Sequence, residues 1–147
     1  MSHSRTAHEA VIIAILQDDK VLLHKRKNTG WMAGWYDVPS GHVNPGEAIS
    51  DAAIREAYEE AGISINSSDL QLVHISQADT DKTYTYFIFK VEKWTGKPKL
   101  NEPELAEALE FYELDNLPDH IPLYTKAGLQ SLGSKEVTFS YFDADKF

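Results

Sequence analysis

Cysteine is absent from the 147 residues, which excludes disulfides, thiolate nucleophiles and Cys-based zinc or iron–sulfur sites. Basic residues are scarce: 14 Lys and Arg stand against 23 Asp and Glu, a formal charge of −9. Binding to nucleic acid rests on basic surface, so nucleic acid is not an expected partner. Long apolar runs are lacking too. The longest, Val11 to Leu16, falls far short of the ~20 residues a membrane span needs. Met1 to Glu9 is polar and carries no signal-peptide pattern. No Gly-x-Ser-x-Gly elbow and no P-loop occur. The six histidines, His3, His8, His24, His42, His74 and His120, show no i,i+4 spacing suited to zinc. What remains is 42% apolar and 25% charged, a globular profile of single-domain length. The expectation is one soluble, cytoplasmic domain over residues 1–147. Were so acidic a chain to handle phosphates, a divalent metal would have to attract them.

Patterning supplies the elements. Glu9–Gln17 and Val21–Lys27 read as strands joined by the turn Asp18-Asp19-Lys20, a hairpin. Asn28 to Pro45 is rich in Gly, Pro and aromatics and reads as a long loop with a short strand at Tyr36–Val38. Glu47–Ala61 contains no Gly or Pro, is rich in alanine and is followed by Gly62, which predicts a helix with a C-terminal stop. Leu70–Gln77, Thr83–Trp94, Leu109–Leu114 and Val137–Phe142 are strand-like, and Tyr124–Leu132 reads as a second helix. Strands dominate with too few helical crossovers for a doubly wound sheet. The order predicts an α+β fold, a mixed sheet sandwiched between two helices (α/β/α).

Chemistry concentrates on the first helix. Glu56, Glu59 and Glu60 stand at i, i+3 and i+4 and share one face. Like charges this close repel, and a bound cation would make the cluster favourable. All-oxygen ligation suits Mg²⁺ or Mn²⁺. Ala48, Ile49, Ala52, Ala53 and Ala57 form the opposite, small and apolar face. Taken alone, three glutamates on a helix are most often a solvated surface. The wider spacing changes that reading.

Gly41, five residues, Glu47, seven residues, then Arg55-Glu56-Ala57-Tyr58-Glu59-Glu60-Ala61-Gly62-Ile63 matches the Nudix box, with a chance agreement of order 10⁻⁸ per start site. The chain therefore resembles the Nudix hydrolases, of MutT-like type, over most of its length. The resemblance implies that Glu56, Glu59 and Glu60 bind divalent metal, with the Ser40 carbonyl completing a metal shell. It implies that Arg55 orients neighbouring carboxylates, that Glu47 supports the helix start, and that Gly41 and Gly62 shape the loop and the helix end. Ser40-Gly41 stands where Gly-Gly is frequent, a departure of little weight for a backbone ligand. In MutT-like members the general base is the position of Glu56; other subfamilies use a glutamate from a later loop. Trp94-Thr95-Gly96-Lys97-Pro98 resembles the corresponding MutT stretch and makes Glu102 a further metal-binding candidate, with Glu104 and Glu107 behind it.

Other signals are weaker. Arg26 or Lys27 could contact substrate phosphates, although a solvated strand end explains them equally well. Trp31, Trp35 and Tyr36 could stack on a base, as could Tyr84 and Tyr86, for which sheet packing is the competing use. The expected function is Mg²⁺-dependent cleavage of the diphosphate linkage in a nucleoside diphosphate derivative. A nucleoside triphosphate, modified ones included, would give a monophosphate and pyrophosphate. The alternatives are another nucleoside diphosphate derivative such as ADP-ribose, or a non-hydrolytic nucleotide-binding regulator. A small-molecule nucleotide is the expected partner, a homodimer is one option, and no membrane is expected.

Overall fold

The computed structural model describes residues 7–27, 32–79 and 82–143; Trp31 lies outside them. Strand β1 (Ala7–Gln17) turns through Asp18 and Asp19 into β2 (Lys20–Arg26). Asp18 takes the left-handed conformation (φ 54°), which a short polar side chain tolerates in a tight turn. Short strands β3 (Tyr36–Asp37) and β4 (Ser40–His42) precede helix α1 (Ile49–Ala61). Strands β5 (Leu70–Asp79), β6 (Thr83–Val91) and β7 (Ala106–Glu113) follow, then helix α2 (Leu123–Gln130) and β8 (Thr138–Asp143).

The strands form one mixed sheet in the order β3-β2-β1-β6-β5-β8, with β4 also pairing β1 and β7 pairing β2. β1 lies parallel to β6 along Ala7↔Thr83 to Ile15↔Val91 and antiparallel to β4 at Ala10↔His42 to Ile12↔Ser40. Every residue from Ala10 to Leu16 is buried, since side chains alternate between two covered faces. Val11, Ile13 and Ile15 meet α1 through Ala52, Ala53, Ala57 and Ala61. Ile12, Ala14 and Leu16 meet Tyr124, Leu129 and Leu132 of the α2 region. Four fully buried alanines let α1 approach the sheet closely. Gly128 does the same for α2, because a Cβ there would lie 2.8 Å from Ile88 Cγ2. The α+β architecture with a helix on each face matches the expectation.

Differences from the sequence reading have local causes. α1 starts at Ile49 rather than Glu47, because Ala48 is extended (φ −69°, ψ 146°) and Glu47 is spent on the preceding loop. Ser40–His42 was expected as loop; it becomes β4 because β1 offers it a partner edge. β7 begins at Ala106, three residues early, where a register shift at Lys25/Arg26 lets it follow β2 past a bulge.

Candidate active site

The site is built on α1 and the segment just before it. Gly41 brings its backbone so close to α1 that a Cβ would overlap the Glu56 carboxyl group. Ser40 N–H donates to Glu60 Oε2 at 3.0 Å. Arg55 ties the parts together. Its Nε and Nη2 donate to the Glu47 carboxylate at 2.8 and 3.0 Å, Nη1 donates to Glu56 Oε1 at 2.8 Å and Glu59 Oε2 at 3.2 Å, and Nη2 donates to the His42 carbonyl at 2.9 Å. Glu47 also accepts from Asn44 N–H. The Arg55 hydrogen bonds pull the Glu47 carboxyl down to about 2, and the same contacts raise Arg55 further. Asp51, an alternative partner for Arg55, has no hydrogen bond to it.

The C-terminal end of α1 anchors a second segment. Gly62 takes φ 70° and donates its N–H to Tyr58 O, a left-handed stop that glycine adopts without strain. Lys99 N–H donates to Ala61 O, and Asn101 Nδ2 to Tyr58 O at 3.0 Å. A Cβ on Gly62 would press on Lys99 and Asn101 at 3.0 to 3.2 Å. The Ala61 carbonyl, which the helix leaves unsatisfied, and the second lone pair of Tyr58 O thus hold the loop that carries Glu102. That loop closes a cavity of about 80 Å³ lined by His24, Arg26, Glu60, Leu100, Glu102, Leu105 and Ala106.

The electrostatics of this corner are strained. Burial raises Glu60 well above the ordinary carboxylate range; Ser40 N–H opposes the shift, while Glu56, Asp37 and Glu102 add to it. Burial also raises Glu56, against Arg55 and together with Glu59 and Glu102. Glu102 rises through burial and the charges of Glu104 and Glu59. Among the described residues, no three His, Asp or Glu side chains converge into a ready ion cage, and Arg55 Nη1 sits between Glu56 and Glu59. The donor set nonetheless fits a hard divalent cation: all are carboxylate oxygens, and each raises its neighbours' cost of ionising.

The remaining candidates are dispersed. Arg26 lines the cavity. Lys27 lies beyond the end of β2, its N–H donating to Leu105 O. Glu104 is exposed. Glu107 pairs with Lys25 at 3.2 Å, outside the cluster. Trp35 packs on His120 with ring centres 5.2 Å apart. Tyr86 stacks between Tyr84 (5.7 Å) and Tyr124 (4.1 Å), and burial pushes its phenol up to about 12. Two residues escaped the sequence reading. His24, whose Nδ1 lies 3.8 Å from Glu60 Oε2, is pushed down to about 4 by burial and then by Arg26. Asp37 is buried, accepts from Val38 N–H and the Thr125 hydroxyl at 2.8 Å each, and rises to about 6 through burial. Asp37 is a lone charge between Tyr36 and Val38, and His24 stands where the apolar run Val21–Leu23 gives way to Lys25-Arg26-Lys27; neither position announces burial.

The NUDIX domain model matches residues 6–130, a span that contains the whole carboxylate site. The chain belongs to the Nudix hydrolase family. A MutT Nudix hydrolase of Burkholderia pseudomallei superposes with a TM-score of 0.81 at 27% identity, covering 87% of this chain and 99% of that one. An ADP-ribose pyrophosphatase of Methanocaldococcus jannaschii is 32% identical over 114 residues, 76% of this chain and 66% of that protein. A mouse oxidized purine nucleoside triphosphate hydrolase is 30% identical over 115 residues, 77% of this chain and 70% of that protein. The Nudix domain described here spans 33 to 66% of the length of several curated relatives.

Proposed function

We propose that residues 1–147 form a single domain that is a Mg²⁺-dependent pyrophosphohydrolase acting on a nucleoside diphosphate derivative, first of all a nucleoside triphosphate. The supporting observation is the meeting of Glu60, Glu102 and Arg26 on one cavity beside Glu56 and Glu59. Glu56, Glu59, Glu60, Glu102 and the Ser40 carbonyl would hold the cation; Mn²⁺ could substitute. Bound there, a divalent cation supplies charge to phosphate oxygens and lowers the pKa of water.

The chain's own residues do the rest. Glu56 takes the proton of the attacking water, its carboxyl fixed between Gly41 and Arg55. Arg55 keeps Glu56 and Glu59 apart and in place, itself held by Glu47 and the His42 carbonyl. Arg26 offers positive charge to the substrate phosphates at the cavity wall, with Lys27 beyond it. Tyr84 and Tyr86 are stacked on each other and on His8 and Tyr124, so the stacking surface for a base falls to Trp35. Water is consumed and one phosphoanhydride bond breaks, so a triphosphate yields a nucleoside monophosphate and pyrophosphate.

The name of the mouse relative supports a triphosphate; that of the archaeal relative keeps ADP-ribose as the second reading. A substrate panel with product identification separates them. Pyrophosphate plus monophosphate supports the first; AMP plus ribose 5-phosphate supports the second. Absence of turnover on every diphosphate substrate with Mg²⁺ or Mn²⁺ would leave a nucleotide-binding regulator. No described helix is long and apolar enough to cross a membrane, and a cytoplasmic location is proposed with the activity.

A further inference from the structure

We propose that β8 is a self-association edge, two copies of the chain pairing β8 with β8 antiparallel about a two-fold axis at Ser140. β8 ends the sheet. It pairs in parallel with β5 from His74↔Thr138 to Asp79↔Asp143, and among the described residues no strand pairs with its other side. Val137, Phe139 and Tyr141 project at spacing two and are 50%, 63% and 51% exposed. Behind Phe139 the register continues through half-buried Ile75 to Phe87, so the apolar strip runs inward across the sheet.

Open edges are normally blunted by lysine, proline or a bulge. From Val137 to Phe142 there is no charged residue and no proline. The strand is rigidly presented. His74 holds it from the inner face, with Nδ1 2.6 Å from Thr138 Oγ1 and Nε2 2.8 Å from Ser140 Oγ, and Thr138 Oγ1 donates to Ser131 Oγ at 2.8 Å.

Charge and symmetry select a second copy as the occupant. A chain of net charge −9 repels its own copy except where an uncharged stretch meets an uncharged stretch. Pairing about Ser140 sets Phe139 opposite Tyr141 of the second copy, and Tyr141 opposite its Phe139. These are two cross-strand aromatic pairs, a favourable arrangement. Asp143 falls opposite Val137, so no like charges meet in the paired stretch. A two-fold contact of this kind closes after two copies. The exposed parts of Phe139, Tyr141 and Val137 amount to about 300 Å² per copy. With the strand backbone added, this lies at the lower end of specific interfaces, which bury about 1,000 Å² or more in total. An interface of this size suits a reversible dimer.

Light scattering on size-exclusion fractions of the full chain, loaded from about 1 to about 500 µM, reads the mass directly. The expected result is a shift toward twice 16.6 kDa with rising concentration. Phe139→Lys and Val137→Lys should each abolish that shift while leaving circular dichroism and Tm unchanged. Tyr58→Lys, an equally exposed site on α1, should leave it intact. A monomeric wild type throughout the range would overturn the proposal, as would a dimer indifferent to both β8 variants. Register is tested separately, because the chain lacks cysteine. Mixed Phe139→Cys and Tyr141→Cys proteins should cross-link on oxidation in higher yield than either alone. Equal yields would overturn the antiparallel pairing about Ser140. None of these readouts depends on catalysis.

Discussion

Gly41→Ala should damage the enzyme without damaging the fold. The backbone at Gly41 lies outside the left-handed region, so alanine meets no conformational barrier there. The obstacle is the Glu56 carboxyl group. Even its farther oxygen, Oε2, would lie 2.5 Å from an added Cβ, against an ordinary contact of 3.4 Å or more. The group must retreat by at least 0.9 Å, and its 2.8 Å bond to Arg55 is strained or lost with it. Displacement of a reacting group by about 1 Å costs on the order of 10²-fold in rate. Since Glu56 is the far end of a flexible side chain on a helix packed by its opposite face, stability should change by about 1 kcal/mol or less. The assay is kcat across a Mg²⁺ titration on whichever substrate the panel identifies, beside a Tm measured in the same buffer. A kcat within threefold of wild type would refute the claim that Glu56 is held in position by Gly41. A collapse of Tm would instead show that the loop–helix contact is structural.

Glu56→Gln should lower kcat by ~10²–10⁴-fold at saturating Mg²⁺, whereas Glu102→Gln should lose less and recover partly with added metal; the reverse ranking in the same titration would move the base to the loop. Glu47→Gln should lower Tm at pH 7, and the difference should shrink on acidification. A carboxyl held down to about 2 contributes stability above its ordinary pKa of ~4.5 that is lost as pH falls toward the folded value. Melting curves from pH 7 to pH 3 check this. Asn101→Ala removes the anchor on the Tyr58 carbonyl. It should cost about 0.5–1.5 kcal/mol and raise the Mg²⁺ needed for half-maximal activity, with saturated kcat nearly unchanged. An unaltered Mg²⁺ requirement would detach the loop from metal binding.

Much of this was legible because the relevant signals are local. Alternation and Asp18-Asp19 mark the first hairpin, alanine density and Gly62 mark α1, and the spacing from Gly41 to Ile63 marks the box. What was not legible depends on partners distant in sequence. Ser40–His42 has no strand composition of its own and acquires strand geometry from Ala10–Ile12. Asp37 falls in the short strand read at Tyr36–Val38, where nothing local marks its carboxyl group as buried. It is buried, with Thr125, 88 positions later, donating to it beside Val38 N–H. The loop that carries Glu102 is fastened to the end of α1 by Lys99 and Asn101, contacts that no local pattern announces.

β1 carries an unusual error sensitivity. With both faces covered, its odd and even residues from Ala10 to Leu16 are equally apolar, so water does not penalise a slip of one position as it would in a strand with a wet side. Shape must do that work instead. A β1 shifted by one position would push Val11 or Glu9 into the place of Ala10, against His42, and an isoleucine into that of Ala14, against Lys90, and would draw Ser40 and Gly41 away from α1. A single-residue insertion between Val11 and Ile15 would therefore leave an equally hydrophobic strand and yet uncouple the carboxylates from the loop that positions them. In this chain the spelling of small against large along one strand guards the catalytic geometry on the next element.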